Sequence, residues 1–129
     1  MTLPISQLMT RQVRTASTDD TIAQVGDDLD RLHLHAVPVV DADGRLFGIL
    51  SATDLVHFHA SKKNPRVVRA WELCTHRPYC VAPDTSALEV ARLMIAKKIH
   101  HVLVTEGSKL VGIVSTFDFI EKLVRDDLL

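Results

Sequence analysis

Apolar residues recur at helical spacing in two stretches of the chain, which are Ile22, Val25, Leu29 and Leu32 in the first half and Leu88, Ala91, Met94 and Ile95 in the second. A recurrence every three or four residues places such side chains on one face of a helix. Asp20 and Asp84, with the hydroxyl residues that follow them, supply the acidic and capping groups that favour a helix start. The pattern therefore predicts one amphipathic helix in each half.

Two nearly continuous apolar runs follow each of these helices, at residues 37–40 and 46–50 and again at residues 102–104 and 110–114. Such runs are typical of strands buried on both faces, and each pair is expected to form a hairpin. Each half ends in a last helix, which starts near Thr53 in the first half and near Thr116 in the second. The second of these helices is unusually apolar over residues 119–124, and we expect its stripe to pack against another copy of the chain.

The two halves carry the same pattern. The stretch GILSATD at residues 48–54 returns as GIVSTFD at residues 112–118, with Gly, Ser and Asp in register. Leu8 matches Leu73 and His35 matches His100 at one constant offset, which shortens by one residue in the hairpin turn. Because the period is longer than the ~20–50 residues of a solenoid repeat, a duplicated half-domain is indicated.

Each half opens with a short helical turn, at residues 6–9 and 67–74, and a brief extended segment, at residues 13–16 and 79–81. The order helix-strand-helix-strand-strand-helix therefore occurs twice, in an α+β fold. The polar, Pro-containing segment between the halves is read as a linker. We assign residues 4–60 to the first motif, 61–66 to the linker and 67–125 to the second motif, the pair forming one compact module with pseudo-twofold symmetry.

Three glycines lie inside the predicted helices and strands. Gly26 weakens its helix by about 1 kcal/mol relative to alanine, and because its counterpart is Ala91 we expect close packing against a neighbour. Gly48 and Gly112 interrupt buried strands, where the missing side chain permits a ligand or another backbone to approach closely.

Composition narrows the function classes. The chain has 129 residues, a net charge of −1 and 5% aromatic residues, so the core must be aliphatic and nucleic-acid binding is not expected as the main role. Cys74 and Cys80 form no CxxC pair, and no signal-like start or apolar run of ~20 residues is present. We therefore expect a cytoplasmic protein with reduced thiols and no membrane contact.

In this order and register, the chain resembles a tandem CBS-domain protein, a Bateman module. The resemblance covers residues 4–125, and the stretches that carry it are Leu8-Met9-Thr10, Thr15-Ala16-Ser17, His35-Ala36-Val37-Pro38-Val39 and the two Gly-h-h-Ser-x-x-Asp motifs. It implies a free-standing regulatory module without enzymatic activity or a required cofactor. Such a module binds AMP, ADP, ATP or S-adenosylmethionine in clefts between its motifs, forms a homodimer and regulates a protein that the sequence does not name.

The resemblance also implies which residues line the clefts. One cleft would combine Thr15, Ala16, Ser17, Asp20 and Val37 with Ser115 and Asp118, and the other Cys80, Val81, Ala82, Thr85 and Val102 with Ser51 and Asp54. Each Asp of the repeated motif would hold the ribose, since a carboxylate can accept bonds from both the 2′ and 3′ hydroxyls. Because Cys80 stands where the first half has Thr15, the two clefts are not expected to bind alike.

Histidines stand where nucleotide-binding members often carry His-Arg facing phosphate, and they are His35, His100 and His101. The arginine is absent from both halves, which argues against tight binding of a triphosphate because bidentate guanidinium contacts are lost. A histidine there would bind phosphate better as the pH falls. The alternative is that these imidazoles cap helix ends or lie on the surface.

The repeated motif itself has an alternative explanation. Ser-x-x-Asp before an apolar run is also a capping box, which requires no ligand, so the chain could be a ligand-free dimerisation or docking module. Metal binding is not expected, because His57 and His59 point apart on a helix and no further ligand has recognisable spacing. No nucleophile-base pair indicates catalysis, and Cys80 is read as a packing residue.

Overall fold

The computed structural model describes residues 3–129. The order is a 3-10 turn at Ile5–Gln7, then β1 (Ala16–Ser17), α1 (Ile22–Arg31), β2 (Ala36–Val40), β3 (Leu46–Ser51), α2 (Ala52–Ala60), α3 (Ala70–Leu73), β4 (Cys80–Val81), α4 (Ala87–Lys97), β5 (His101–Glu106), β6 (Lys109–Ser115) and α5 (Thr116–Arg125). The predicted α+β class and the element order of both motifs are confirmed. The opening elements are shorter or shifted, because only two residues of each first strand pair with a neighbour.

Each motif builds a three-stranded sheet. β1 runs parallel to β2, with Ala16 opposite Val39, and β2 pairs antiparallel with β3. The second sheet repeats this arrangement, with Cys80 of β4 opposite Leu103 of β5. The hairpin prediction is therefore correct for both halves.

The compact units and the sequence repeats divide the chain differently. Residues 14–78 form one unit, here called the middle unit, and residues 3–13 with 79–129 form the other, here called the terminal unit. The opening segment of each repeat thus belongs to the unit that contains the sheet of the other repeat. This exchange of segments decides which residues complete each core.

The terminal unit is completed by the 3-10 turn. Ile5 is fully buried, and its amide donates to the Thr85 carbonyl over 2.7 Å. The middle unit uses α3 in the same way, since Ala70 is fully buried and its amide donates to the Asp20 carbonyl over 2.7 Å. Ile5 and Ala70 are equivalent in the repeat, so a large side chain closes one core and a small one closes the other.

A neighbouring segment passes close to both glycines of the repeated motif. Ile49, beside Gly48, exchanges two backbone hydrogen bonds of 3.0 and 2.9 Å with Thr75, which follows α3. A Cβ atom at Gly48 would overlap the Thr75 carbonyl oxygen and lie 2.8 Å from Cys74 Sγ. In the terminal unit Ile113 and Thr10 form the same pair of bonds, at 2.8 and 3.1 Å. Close approach of another backbone is therefore observed at Gly48, whereas at Gly112 the nearest atoms belong to the Met9 side chain, with the Thr10 carbonyl oxygen 3.2 Å away.

The explanation expected for Gly26 is wrong. A Cβ atom there would stand 3.7 Å from Leu55 Cδ1, which is an ordinary van der Waals contact. Since the site is helical and has room, Gly26→Ala should raise the free energy of unfolding by about 0.5–1 kcal/mol, through helix propensity and a less flexible unfolded chain. Urea denaturation measures this change. The matched variant Ala91→Gly in α4 should lose a similar amount, and a less stable Gly26→Ala protein would contradict the prediction.

Candidate functional site

Several predicted site residues gather at one end of the sheet in each unit. In the middle unit the start of β2 meets the end of β3, with Ala36 opposite Ser51, and the His35 carbonyl accepts a bond of 2.8 Å from the Ala52 amide. His35, Ser51 and Asp54 therefore lie close together where α2 begins.

The terminal unit repeats this arrangement. His101 lies opposite Ser115, and the His100 carbonyl accepts a bond of 3.0 Å from the Thr116 amide. Both histidines and the Ser-x-x-Asp motif of the second half therefore meet at the start of α5. Each unit presents a carboxylate, a hydroxyl and the N-terminus of a helix at one place, with the histidine backbone paired beside them.

Both Ser-x-x-Asp motifs form complete capping boxes. The Ser51 amide donates to Asp54 Oδ2 over 2.8 Å, and the Asp54 amide donates to Ser51 Oγ over 3.2 Å. The corresponding distances for Ser115 and Asp118 are 2.7 and 3.3 Å. Both amide bonds fall on Oδ2, whereas a carboxylate has lone pairs on two oxygens. Each motif therefore caps its helix, and Oδ1 of the same carboxylate can still accept hydrogen bonds from a ribose.

Other predicted site residues lie further along the sheets. Ser17 is opposite Val40, several residue pairs away from Ser51, and its amide donates to Asp20 Oδ2 over 2.9 Å. The Asp20 carboxylate therefore stabilises the turn before α1. Val81, Ala82 and Thr85 form the equivalent turn, in which the Thr85 amide donates to the Ala82 carbonyl over 3.1 Å. Within each unit, the structure separates these turns from the Ser-x-x-Asp motif.

Two predicted lining residues have no accessible side chain. Val37 and Val102 are each 1% exposed and belong to the cores of their units. Ala16 is buried in the middle core as well, whereas Thr15 is half-buried. The valines and Ala16 can therefore contribute mainly backbone groups to a ligand, as a strand that lines a planar base would.

The cysteines are poor nucleophiles. Desolvation raises the pKa of the Cys80 thiol above its ordinary value. Desolvation also raises the pKa of Cys74, and the nearby Asp54 charge adds to the effect. Since the thiolate is the reactive form, neither thiol is activated at neutral pH. Cys74 is buried and packs in the middle core, whereas Cys80 is exposed, so its packing role stays a prediction.

The arginine that adjoins the predicted site residue Thr15 is engaged in an ion pair. Arg14 adjoins Thr15 in the chain, but its guanidinium pairs with Asp28 over 3.1 Å, and Arg31 pairs with the same carboxylate over 2.8 Å. Hydrogen bonds from Arg14 and Arg31 hold the pKa of Asp28 below its usual range. A phosphate at this end of the sheet would therefore meet His35 and the N-terminus of α2.

Among residues 3–129, His, Cys, Asp and Glu side chains nowhere form a group of three or more that could hold a metal ion. In the same part of the chain, every helix is too short or too polar to cross a bilayer.

The buried face of α4 differs from the predicted one. The core of the terminal unit takes Ala87, Val90 and Met94, whereas Leu88 is 56% exposed and Ile95 is 78% exposed. Apolar residues lie on two sides of this helix, and periodicity alone does not indicate which side is covered. The side that remains open lines an apolar groove of about 700 Å³ with α5.

Comparison with known proteins supplies a family. The CBS domain model matches twice, over residues 5–61 and 70–125. The uncharacterized protein YlbB of Bacillus subtilis is 32% identical over 115 residues, which is 88% of this chain and 78% of YlbB. The chain spans only 20–46% of the length of several other curated relatives that it matches.

Solved structures share the fold. A protein assigned to acetoin utilization, AcuB from Vibrio cholerae, superposes with a TM-score of 0.89 at 27% identity, covering 97% of this chain and 93% of that one. The CBS domain pair of protein MJ0100, solved with 5′-methylthioadenosine and S-adenosyl-L-methionine, gives a TM-score of 0.88 at 22% identity, covering 98% and 99%.

Proposed function

We propose, because this chain belongs to the CBS-domain family and carries two such domains in tandem, that it is a regulatory module rather than an enzyme. Its ligand is an adenosyl compound of the AMP, ADP, ATP or S-adenosylmethionine class, bound in the clefts between the two CBS motifs. The module works as a homodimer, and ligand binding changes the surface that it presents to a regulated protein.

The observation that carries this proposal is the repeated group at the start of α2 and α5. Asp54 and Asp118 are each held in place by a capping box while retaining acceptor capacity. A carboxylate fixed in this way can take both ribose hydroxyls without losing side-chain entropy on binding, because the cap has already ordered it. The adjacent helix N-terminus and imidazole suit a negatively charged or polar group beyond the ribose.

The ligand is expected to be a compound of low charge. Arg14 is paired with Asp28, and the His-Arg signature of phosphate binding is reduced to histidines. AMP or S-adenosylmethionine therefore fits these residues better than ATP, which needs bidentate guanidinium contacts for its phosphates. The bound adenosyl compounds of MJ0100 support the same class.

Thermal unfolding of the whole chain with AMP, ADP, ATP and S-adenosylmethionine tests the proposal. A ligand at 100 times its Kd adds about 2.7 kcal/mol of stability, which raises the Tm by several degrees. The proposal fails if none of the four raises the Tm at millimolar concentration.

Substitution of the carboxylates separates the cap from the ligand site. In Asp54→Asn and Asp118→Asn the amide oxygen can still accept the serine N–H bond, so we expect a nearly unchanged Tm without ligand and a reduced ligand-induced shift. The matched variants Asp54→Ala and Asp118→Ala remove both functions, with a cap loss of about 1 kcal/mol. Equal ligand shifts in wild type and both Asn variants would exclude the carboxylates as ribose-binding groups.

A second candidate function is a docking module that needs no ligand. The capping boxes are complete by themselves, and the groove between α4 and α5 is an open apolar surface. Under this alternative, none of the adenosyl compounds changes the Tm, and association with a partner is independent of nucleotide.

A further inference from the structure

A strongly basic segment follows α2 in the middle unit. In a chain of net charge −1, residues 62–77 contain Glu72 as their one acidic residue beside five exposed cations, which are Lys62, Lys63, Arg66, Arg69 and Arg77. Within residues 3–129, none of these cations forms an ion pair. The Arg69 guanidinium donates to the Asp19 backbone carbonyl over 2.9 Å, and that acceptor is neutral. The described part of the chain therefore leaves the positive charge of this segment unbalanced.

Apolar groups are exposed in the same segment. Val67 is 66% exposed and Trp71 is 46% exposed. The residues that follow them, Val68 and Glu72, line a cavity of about 400 Å³. Its lining is apolar at the buried or half-buried Phe58, Val68 and Leu73, and polar at the exposed His57, Lys63 and Glu72. The segment thus combines an apolar cavity with exposed hydrophobic side chains and cations.

The other repeat shows that folding does not require this composition. The Trp71 amide donates to the turn before α1 over 3.2 Å, and the Ser6 amide donates to the turn before α4 over 3.1 Å, so the two residues occupy the same place in their units. Pro4 stands in the same way for Arg69. The positions that pack against the cores stay apolar, with Leu3 for Val68 and Leu8 for Leu73. Because the chemistry changes at the exposed positions, these serve a contact with another molecule.

We infer that this surface binds an acidic segment of the regulated protein. We call Lys63, Arg66, Val67, Arg69, Trp71 and the cavity beside them the linker surface. The inference rests on the proposed function in that the module has a regulated partner, but the contact itself needs no adenosyl compound. Carboxylates of the partner would face the cations, since a guanidinium can bind a carboxylate through two parallel hydrogen bonds. One apolar side chain would enter the cavity, and tryptophan and arginine are the residue types that most often carry binding energy at interfaces.

A nucleic acid or an anionic membrane fits this surface less well. Such partners present continuous negative charge, and two acidic residues lie among the cations of the linker surface. Glu72 lines the cavity, and the exposed Asp19 is held beside Arg69. Both carboxylates would repel nearby phosphates. A peptide avoids this repulsion, because its acidic residues can be spaced to meet the cations alone.

Tryptophan fluorescence tests the inference, because Trp71 is the only tryptophan of the chain. The probe is a peptide of about twelve residues with one leucine among aspartates and glutamates and no tryptophan, long enough to cover a short recognition segment. Added to the whole chain without nucleotide, it should shift the emission to shorter wavelength, since binding removes the indole from water. Anisotropy of a fluorescein-labelled form gives the Kd, which should rise with salt concentration.

Two substitutions and a matched control locate the contact. Arg66→Glu and Trp71→Ser should each raise the Kd about tenfold or more. Serine is the residue that the other repeat has at this place, so Trp71→Ser should keep the wild-type circular dichroism spectrum. Arg92→Glu is the control, because Arg92 is also exposed but lies on α4 in the terminal unit. This control should bind the peptide as wild type does.

Four results would overturn the inference. They are no change in emission or anisotropy at about 1 mM peptide, equal binding of a peptide with asparagine and glutamine in place of its acids, equal losses in Arg66→Glu and Arg92→Glu, and tighter binding of oligothymidylate or phosphatidylserine vesicles than of the peptide. The Tm shift with adenosyl compounds, measured on the same preparations, separates this inference from the proposed function. Arg66→Glu should lose peptide binding and keep that shift, whereas peptide binding without any Tm shift would contradict the adenosyl proposal alone.

Discussion

Gly48→Ala should lower the free energy of unfolding by about 3 kcal/mol or more, placing it among the most damaging single-methyl additions in this chain. The new Cβ would overlap the Thr75 carbonyl oxygen, which itself accepts the Ile49 amide bond. A backbone atom held by that bond cannot move aside without breaking it. The variant must therefore either break the backbone hydrogen bonds between Ile49 and Thr75 or move β3 away from Thr75.

The equivalent variant, Gly112→Ala, should cost clearly less. Its Cβ would collide chiefly with Met9 Sδ, which is the flexible end of a side chain, and would lie 3.2 Å from the Thr10 carbonyl oxygen. Truncation of the Met9 side chain should reduce the clash, so the penalty of Gly112→Ala should be smaller in a Met9→Ala background. Cys74→Ala should not rescue Gly48→Ala, because the backbone clash remains. Urea denaturation of both glycine variants in the wild-type, Met9→Ala and Cys74→Ala backgrounds, each beside its parent protein, decides this, and equal costs for the two glycine variants would contradict it.

Ile5→Ala should lower the free energy of unfolding by about 3 kcal/mol, even though the residue lies close to the start of the chain. Ile5 is fully buried in the terminal unit, among residues that include Val90, Val102 and Val114. Truncation removes apolar surface from the core and leaves a cavity. A chain end that merely rested on the surface would lose far less.

The reverse change supplies the control for Ile5→Ala. Ala70 occupies the same place in the middle unit, so Ala70→Ile should overpack that core and cost about 1–3 kcal/mol. Thermal and urea unfolding measure both variants. A cost below about 1 kcal/mol for Ile5→Ala would show that the opening segment does not complete the terminal core.

The sequence was sufficient for the repeat, the order of elements and the family. These features depend on local patterns, namely helical and strand periodicity, capping residues and turn residues, and the comparisons confirm the CBS resemblance. The sequence also indicates the capping role of Ser51 and Ser115, because the Ser-x-x-Asp spacing is a local pattern that acts within one helical turn.

The exchange of opening segments was beyond the reach of the sequence. Met9 and Cys74 occupy equivalent positions, and either could lie beside the glycine of its own repeat or of the other one. Nothing in apolar periodicity distinguishes these two arrangements, because both bury the same side chains. The sequence also does not indicate which side of α4 is exposed, because that helix is apolar on two sides.

The first turn of α5 places a candidate ligand-binding carboxylate beside exposed apolar side chains. Asp118, the candidate ribose ligand, lies between the exposed Phe117 and Phe119, which packs against the terminal core, and the exposed Ile120 follows. In α2 the neighbours of Asp54 are the polar Thr53 and the core residue Leu55. A ligand that repositions Asp118 would therefore also move exposed apolar side chains at the start of α5. A ligand at Asp118 would thus change an apolar surface, whereas a ligand at Asp54 would change a more polar one.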